Sequence, residues 1–172
     1  MNKAVRRYAK SQGGYTLVEL IVASAIGALV MTGLTSVFFT SWRASTTATS
    51  RIEASAQVRN FQFDATDDFA LSSTPVISSC GPNDPPPCTI TLSGWKYSNP
   101  PQQYTVTYRW DGANVDRTVG QNPPVHAATN VIGFSAYLAG SAPYQTVVVA
   151  LTVQVQTYVE TQTMRFYPRL NP

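Results

Sequence analysis

The chain has 172 residues and a formal net charge of +3, enough for one domain of ordinary size plus an anchor. Four of its twelve basic side chains, Lys3, Arg6, Arg7 and Lys10, lie in the first ten residues, leaving eight against nine acidic ones in the rest. The body is therefore close to neutral. This removes the support that a pI near 9.0 gives to a nucleic-acid-binding surface. Only 12% of residues are charged, a composition suited to an extracytoplasmic, β-rich protein rather than a cytosolic enzyme.

The basic start runs into Gly13-Gly14, and from Tyr15 to Phe39 the only charged side chain is Glu19. Twenty-five residues in a helix reach about 37 Å at 1.5 Å per residue, enough to cross the hydrocarbon of a bilayer. Positive charge before the run places residues 1–14 in the cytoplasm and the body outside, in a single-pass inner-membrane topology. A secretory signal would need a short apolar core and then a small-x-small cleavage site. Here "ASA" at residues 23–25 falls inside the run, and a cut there would leave an apolar terminus. A plain signal anchor explains the charges and the run, but neither the glycine pair nor the glutamate.

"GGYTLVEL", residues 13–20, resembles the leader junction of type IV pilins and of the pseudopilins of type II secretion. The resemblance implies that a membrane aspartyl prepilin peptidase cuts after Gly14 and methylates the new N-terminus at Tyr15. It also implies that the apolar helix stays in the mature chain. The family usually has phenylalanine where Tyr15 stands and often a helix-loosening proline in the span. This span has none, and Gly27 and Gly33 are candidates for some of that flexibility. Physics supports a role for Glu19, because an ionisable residue inside a membrane segment marks function and should have a partner. Cleavage makes an α-amino group four residues away. In a staggered bundle the ammonium of one subunit can pair with Glu19 of its neighbour, whereas a carboxylate without a partner tends to protonate. The alternative is a glutamate that snorkels to the interface.

Residues 40–71 contain neither proline nor glycine. Ala54, Val58, Phe61, Ala65 and Phe69 recur at helical spacing, with Glu53, Asn60, Asp64 and Asp67 on the other side. One helix is predicted from near Thr16 to about Leu71, ending before Pro75. The cluster of Asp64, Asp67 and Asp68 reads as a solvated helix face rather than a metal site. The pattern then changes to period two. Strands are predicted over residues 89–97, 103–110, 114–119, 131–138, 145–156 and 162–167, with Asp111-Gly112 as a turn and "GQNPPVHAA" as a loop. Helix followed by antiparallel sheet is an α+β plan, and a long N-terminal helix packed on an antiparallel β-sheet is also what the pilin resemblance implies. The domain plan is a leader (1–14), an apolar assembly helix (15–39), its amphipathic continuation (40–71) and an extracytoplasmic β-rich body (72–172). "NVIGFSAYL", "TVVVALTVQVQ" and "MRFYPRLN" resemble the tails of W-type minor pilins and J-type pseudopilins.

Cys80 and Cys88 flank the loop "GPNDPPP". Their spacing fits neither a CxxC site nor zinc. A disulfide that fixes loop shape is the natural reading outside the cytoplasm, with two free thiols as the alternative. No catalytic motif appears, no metal or cofactor is implied, and His126 reads as an exposed loop residue. Trp95, Lys96, Tyr97, Tyr108, Arg109 and Trp110 fall on adjacent predicted strands. They read as hairpin-stabilising pairs, or as a stacking surface for single-stranded DNA or a glycan through Trp95, Arg109 and Trp110.

Three functions follow. The first is a minor pilin-like subunit assembled with other pilins into a type IV pilus-like filament. The second is a DNA-uptake or adhesion module at a filament tip. The third is a pseudopilin of a type II secretion system. An enzyme has the least support.

Overall fold

A computed structural model describes residues 14–73, 75–96, 99–141 and 145–168. The predicted leader residues 1–13, Tyr97 and the last four residues lie outside that set. Contacts divide the chain into two compact units, Met1–Ser45 and Thr46–Pro172, each described by itself.

One helix, α1 (Leu17–Leu71), contributes to both units. Its start is set locally. Thr16 Oγ1 accepts the Glu19 backbone N–H at 3.3 Å and the Thr16 carbonyl accepts Leu20 N–H at 3.2 Å, so Thr16 is the N-cap and Glu19 the third helical residue. Its end is equally local. The Ser72 hydroxyl donates to the Phe69 carbonyl at 2.8 Å, and Pro75 follows. In the first unit every described side chain is exposed.

In the second unit α1 buries Ala54, Val58, Phe61, Ala65 and Phe69, the stripe expected from their spacing. Two antiparallel meanders cover it, where a single sheet was expected. The first is β1 (Val76–Ser78), β2 (Cys88–Lys96), β3 (Gln102–Trp110), β4 (Val115–Val119) and β5 (Val125–Ala128), in sequence order. The second is β6 (Val131–Ala139), β7 (Thr146–Val155) and β8 (Tyr158–Phe166). Alternation works as predicted in β7, whose Val147, Val149, Leu151, Val153 and Val155 are buried. Val148, on the other face, is buried too. Its register partners are Tyr137 and Arg165, both large enough to shade a valine.

The sheets meet through α1. Phe61 contacts the rings of Tyr108 on β3 and Phe134 on β6 at 5.5 and 5.7 Å. Phe69 stacks on Phe166 of β8 at 4.5 Å and lies 6.2 Å from Tyr108. Backbone bonds close the seam, from Val131 N–H to the Ala113 carbonyl at 2.7 Å and from Ala136 N–H to the Cys80 carbonyl at 2.9 Å. The predicted Asp-Gly turn is present. Gly112 has φ of 106°, and Asp111 Oδ1 accepts the N–H groups of Ala113 and Asn114 at 2.8 and 2.7 Å. Those two bonds hold its carboxyl below the usual aspartate range.

Several expectations need correction. "VHAA" is strand β5 rather than loop, β1 was not anticipated, and β8 begins at Tyr158 rather than residue 162. Short strands such as β1 and β5 carry too few residues to show alternation. Asp68 does not belong to a solvated face. It is buried, and its carboxylate takes Arg117 on β4 through both oxygens, at 2.6 and 2.8 Å. It also accepts the Tyr108 hydroxyl at 2.5 Å. Asp64 is half-buried and Asp67 exposed, so the three acids do not form one solvated face. Burial, and then the bond to the Asp68 carboxylate, push the Tyr108 hydroxyl pKa far up. The bonds to Asp68 raise that of Arg117, against desolvation. A second polar tie joins the Ser55 hydroxyl to Glu160 on β8 at 2.5 Å.

Where α1 ends it lies directly on β2. Ser73 donates its N–H and its hydroxyl to the Ser93 carbonyl, each at 2.8 Å. A Cβ on Gly94 would fall on the Leu71 carbonyl oxygen. Gly94→Ala therefore requires a backbone shift and should cost about 1–3 kcal/mol, seen as a lower Tm of the full chain in detergent. Gly133→Ala, whose Cβ would meet only the Thr152 side chain at 3.4 Å, should leave Tm nearly unchanged. Asp68→Asn leaves Arg117 without its counter-charge and should destabilise by about 3 kcal/mol. Tyr108 ionises near pH 10 in the unfolded chain but stays neutral in the folded one. Stability should fall as pH rises above about 10, and Tyr108→Phe should flatten that alkaline limb in a pH series of melts.

Candidate functional site

Gly14, Tyr15 and Thr16 precede α1 and adopt no regular structure. Tyr15 is 84% exposed. The Gly14–Tyr15 peptide bond thus lies in accessible, non-helical backbone, the form in which a peptidase can take a chain. The helix that follows is apolar, with a mean hydropathy of 2.1 over its most apolar eighteen residues and none of that window buried. It is long and apolar enough to cross a membrane.

Several hydroxyls in this stretch are satisfied within the helix. Thr32, Thr35 and Thr40 donate to the carbonyls of Ala28, Met31 and Ser36 at 2.8, 2.7 and 2.9 Å, as helical Ser and Thr can in an apolar setting. α1 runs through Gly27 and Gly33 without interruption. Glu19 differs from these threonines. Its carboxylate has no hydrogen-bond or ion-pair partner among the described residues. Its place in the first helical turn puts a negative charge beside the positive end of the helix dipole. Sequence reasoning missed that context, although Thr16-x-x-Glu19 is a readable capping-box pattern.

Cys80 and Cys88 form a disulfide. Both are buried, so the bond closes the base of the exposed loop between β1 and β2. The adjoining Cys80 carbonyl accepts from β6, which ties the loop's root to the second sheet.

The aromatic–basic group on the first sheet is not brought together. Trp110 is buried, and its indole N–H donates to the Val131 carbonyl at 3.3 Å. Trp95 and Arg109 are exposed on the opposite face. Trp95 pairs with Gln103 while Arg109 pairs with Thr89, six residues or roughly 20 Å apart along the strand. Tyr108 faces inward with Trp110, and Tyr97 and the Lys96 side chain lie outside what the structure describes. Adjacent predicted strands do not imply one face, because alternation separates neighbours in sequence.

His126 lies on β5, not in a loop. Its Nδ1 is 2.5 Å from Asp116 Oδ1, its cross-strand partner. The register shift between Val115 and Asp116 sets that pairing, which no sequence signal announces.

Comparison with known families adds one finding. The family model described as the prokaryotic N-terminal methylation motif matches residues 9–35. No curated protein and no solved structure is found to match the chain. The matched stretch contains Gly14, Tyr15 and Glu19. It overlaps the apolar, exposed part of α1, and together the two support a membrane-anchored protein. With an α+β, pilin-like fold of one long helix and antiparallel sheets, the methylation motif supports membership of this chain in the type IV pilin/pseudopilin family.

Proposed function

We propose that this chain is a minor pilin-like subunit. It is cut after Gly14 by a prepilin peptidase, N-methylated at Tyr15 and assembled with other pilins into a type IV pilus-like filament. The observation that carries the reading is the methylation motif placed across an accessible Gly14–Tyr15 bond. The basic leader favours insertion with the N-terminus in the cytoplasm and the body outside. The subunit then moves from the inner membrane into the filament. No catalytic or cofactor role is assigned to it.

Assembly follows from the helix. From Leu17 to Phe39 its apolar side chains are exposed, and in lipid they are free to pack against like helices. Cleavage creates an ammonium at the helix N-terminus, where the dipole disfavours positive charge. A neighbour's Glu19 offsets that penalty and has no other partner among the described residues, so the pair sets the stagger between subunits. The same features suit a pseudopilin, which is the second reading. The W-type and J-type tail resemblance is compatible with either one. A DNA- or glycan-binding module loses the Trp95, Arg109 and Trp110 cluster that would have served it.

Mass spectrometry of the mature chain should give an N-methylated Tyr15 terminus. An intact leader in filament-bearing cells would refute processing. Glu19→Ala should be cleaved normally yet drop at least tenfold in shed filaments. Wild-type levels of that variant in filaments would remove Glu19 from assembly.

A further inference from the structure

We infer that the outer edge of β8 and the groove beside it form a docking site for an extended, acidic segment of a different protein chain, taken up as an added strand. The inference deepens the subunit reading and rests on it for the presence of neighbouring chains.

An open sheet edge offers unpaired N–H and C=O groups to any extended chain, and proteins usually blunt such edges. Three of the four edges here are blunted. β1 has three residues and follows Pro75, and β5 has four and follows Pro123-Pro124. β6 is covered by the backbone bonds to Ala113 and Cys80. The fourth, β8, is nine residues long, contains no proline, and pairs only with β7 among the described residues. Alternate exposed residues along it, Val159, Thr161, Thr163 and Arg165, carry the pleat expected of a strand ready to take another.

Between α1 and β8 run two adjoining cavities of about 510 and 400 Å³, both lined by Gln62 and Gln162. Arg51 and Arg59 line the first and Arg165 the second. The one carboxylate present, Glu160, already accepts the Ser55 hydroxyl. Neither Arg51 nor Arg165 has an ion-pair partner among the described residues. The backbone edge therefore asks for an extended polypeptide, and the three arginines ask for carboxylates on it.

A second copy of this chain does not supply such a segment from its described residues. Its Glu19, Glu53, Asp64, Asp67 and Asp68 are on a helix, Asp84 and Asp111 are in tight turns, and Asp116 lies on β4, which is paired on both sides. Its one acid on an open-edge strand, Glu160 of β8, is bonded to Ser55 and shares that strand with Arg165, so the strand is not acidic. The occupant is thus another protein. Binding would add up to nine residues of strand pairing, with side chains on one face reaching Arg51 and Arg59 and those on the other reaching Arg165.

The test uses the full chain in membranes and filaments of the producing cells. A photo-cross-linking amino acid replaces Val159 or Thr163, with Ile132 on β6 as the control position. Expected are adducts from both β8 positions to a different protein, through a peptide richer in Asp and Glu than in Lys and Arg. Adduct yield should fall at least tenfold in Arg51→Glu/Arg59→Glu and persist in Arg51→Lys/Arg59→Lys, at matched Tm. Absence of adducts, adducts to a second copy, to a basic segment or to DNA, or yield indifferent to charge reversal would each overturn the inference. Failure of the two readings is separable. Acidic-segment adducts in membranes without incorporation into filaments would defeat the filament reading alone. Incorporation without β8 adducts would defeat this one alone.

Discussion

The body of this protein depends on one apolar stripe of α1. Ala54, Val58, Phe61, Ala65 and Phe69 recur every three or four residues, so a single helical face must be covered or left in water. Neither sheet covers it alone. Phe61 needs rings from both sheets, and Phe69 needs Phe166 from β8 as well as Tyr108 from β3. The two meanders are therefore held in one core by the helix, and the backbone bonds at Val131 and Ala136 complete a seam whose position the helix has set.

Polar chemistry fixes what the apolar stripe leaves free. A stripe of alanines, valines and phenylalanines tolerates small rotations and slides, because hydrophobic burial has no direction. The bidentate Asp68–Arg117 pair does not tolerate them, since a planar fork must meet two oxygens at once. The Tyr108 hydroxyl reinforces that point on the same carboxylate, and Ser55 on Glu160 adds a second fixed point along the helix. Gly94 completes the fit at the C-terminal end of α1, where the backbone passes too close to β2 for any side chain. The helix is thus oriented by a few directional contacts and stabilised by many non-directional ones.

The first half of α1 follows the opposite rule. Thr32, Thr35 and Thr40 are bonded to its own carbonyls, and its apolar side chains are exposed along the whole segment. So much apolar surface is left for lipid or other chains to cover. One carboxylate, at the first helical turn, lacks a partner among the described residues. The body closes on itself except at β8, and the anchor does not close at all. Both places are where other molecules would meet this chain.

The sequence by itself determined the elements whose signal is periodic or covalently local. These are the apolar run, the N-terminal methylation motif that contains Gly14 and Tyr15, the helix to Leu71, the long strands, and the Asp111-Gly112 turn. Each depends on neighbours a few residues away, so pattern alone specifies it. Only the tertiary structure decided the partition into two sheets, the strands β1 and β5, the burial of Asp68 and Trp110, and the pairing of His126 with Asp116. Those outcomes depend on which face a residue presents and what lies opposite. A bulge or a crossing between distant segments sets both. Asp67 and Asp68 illustrate the difference. Adjacent and chemically identical, they lie about 100° apart around the helix, and that rotation puts one in water and the other under β3 and β4.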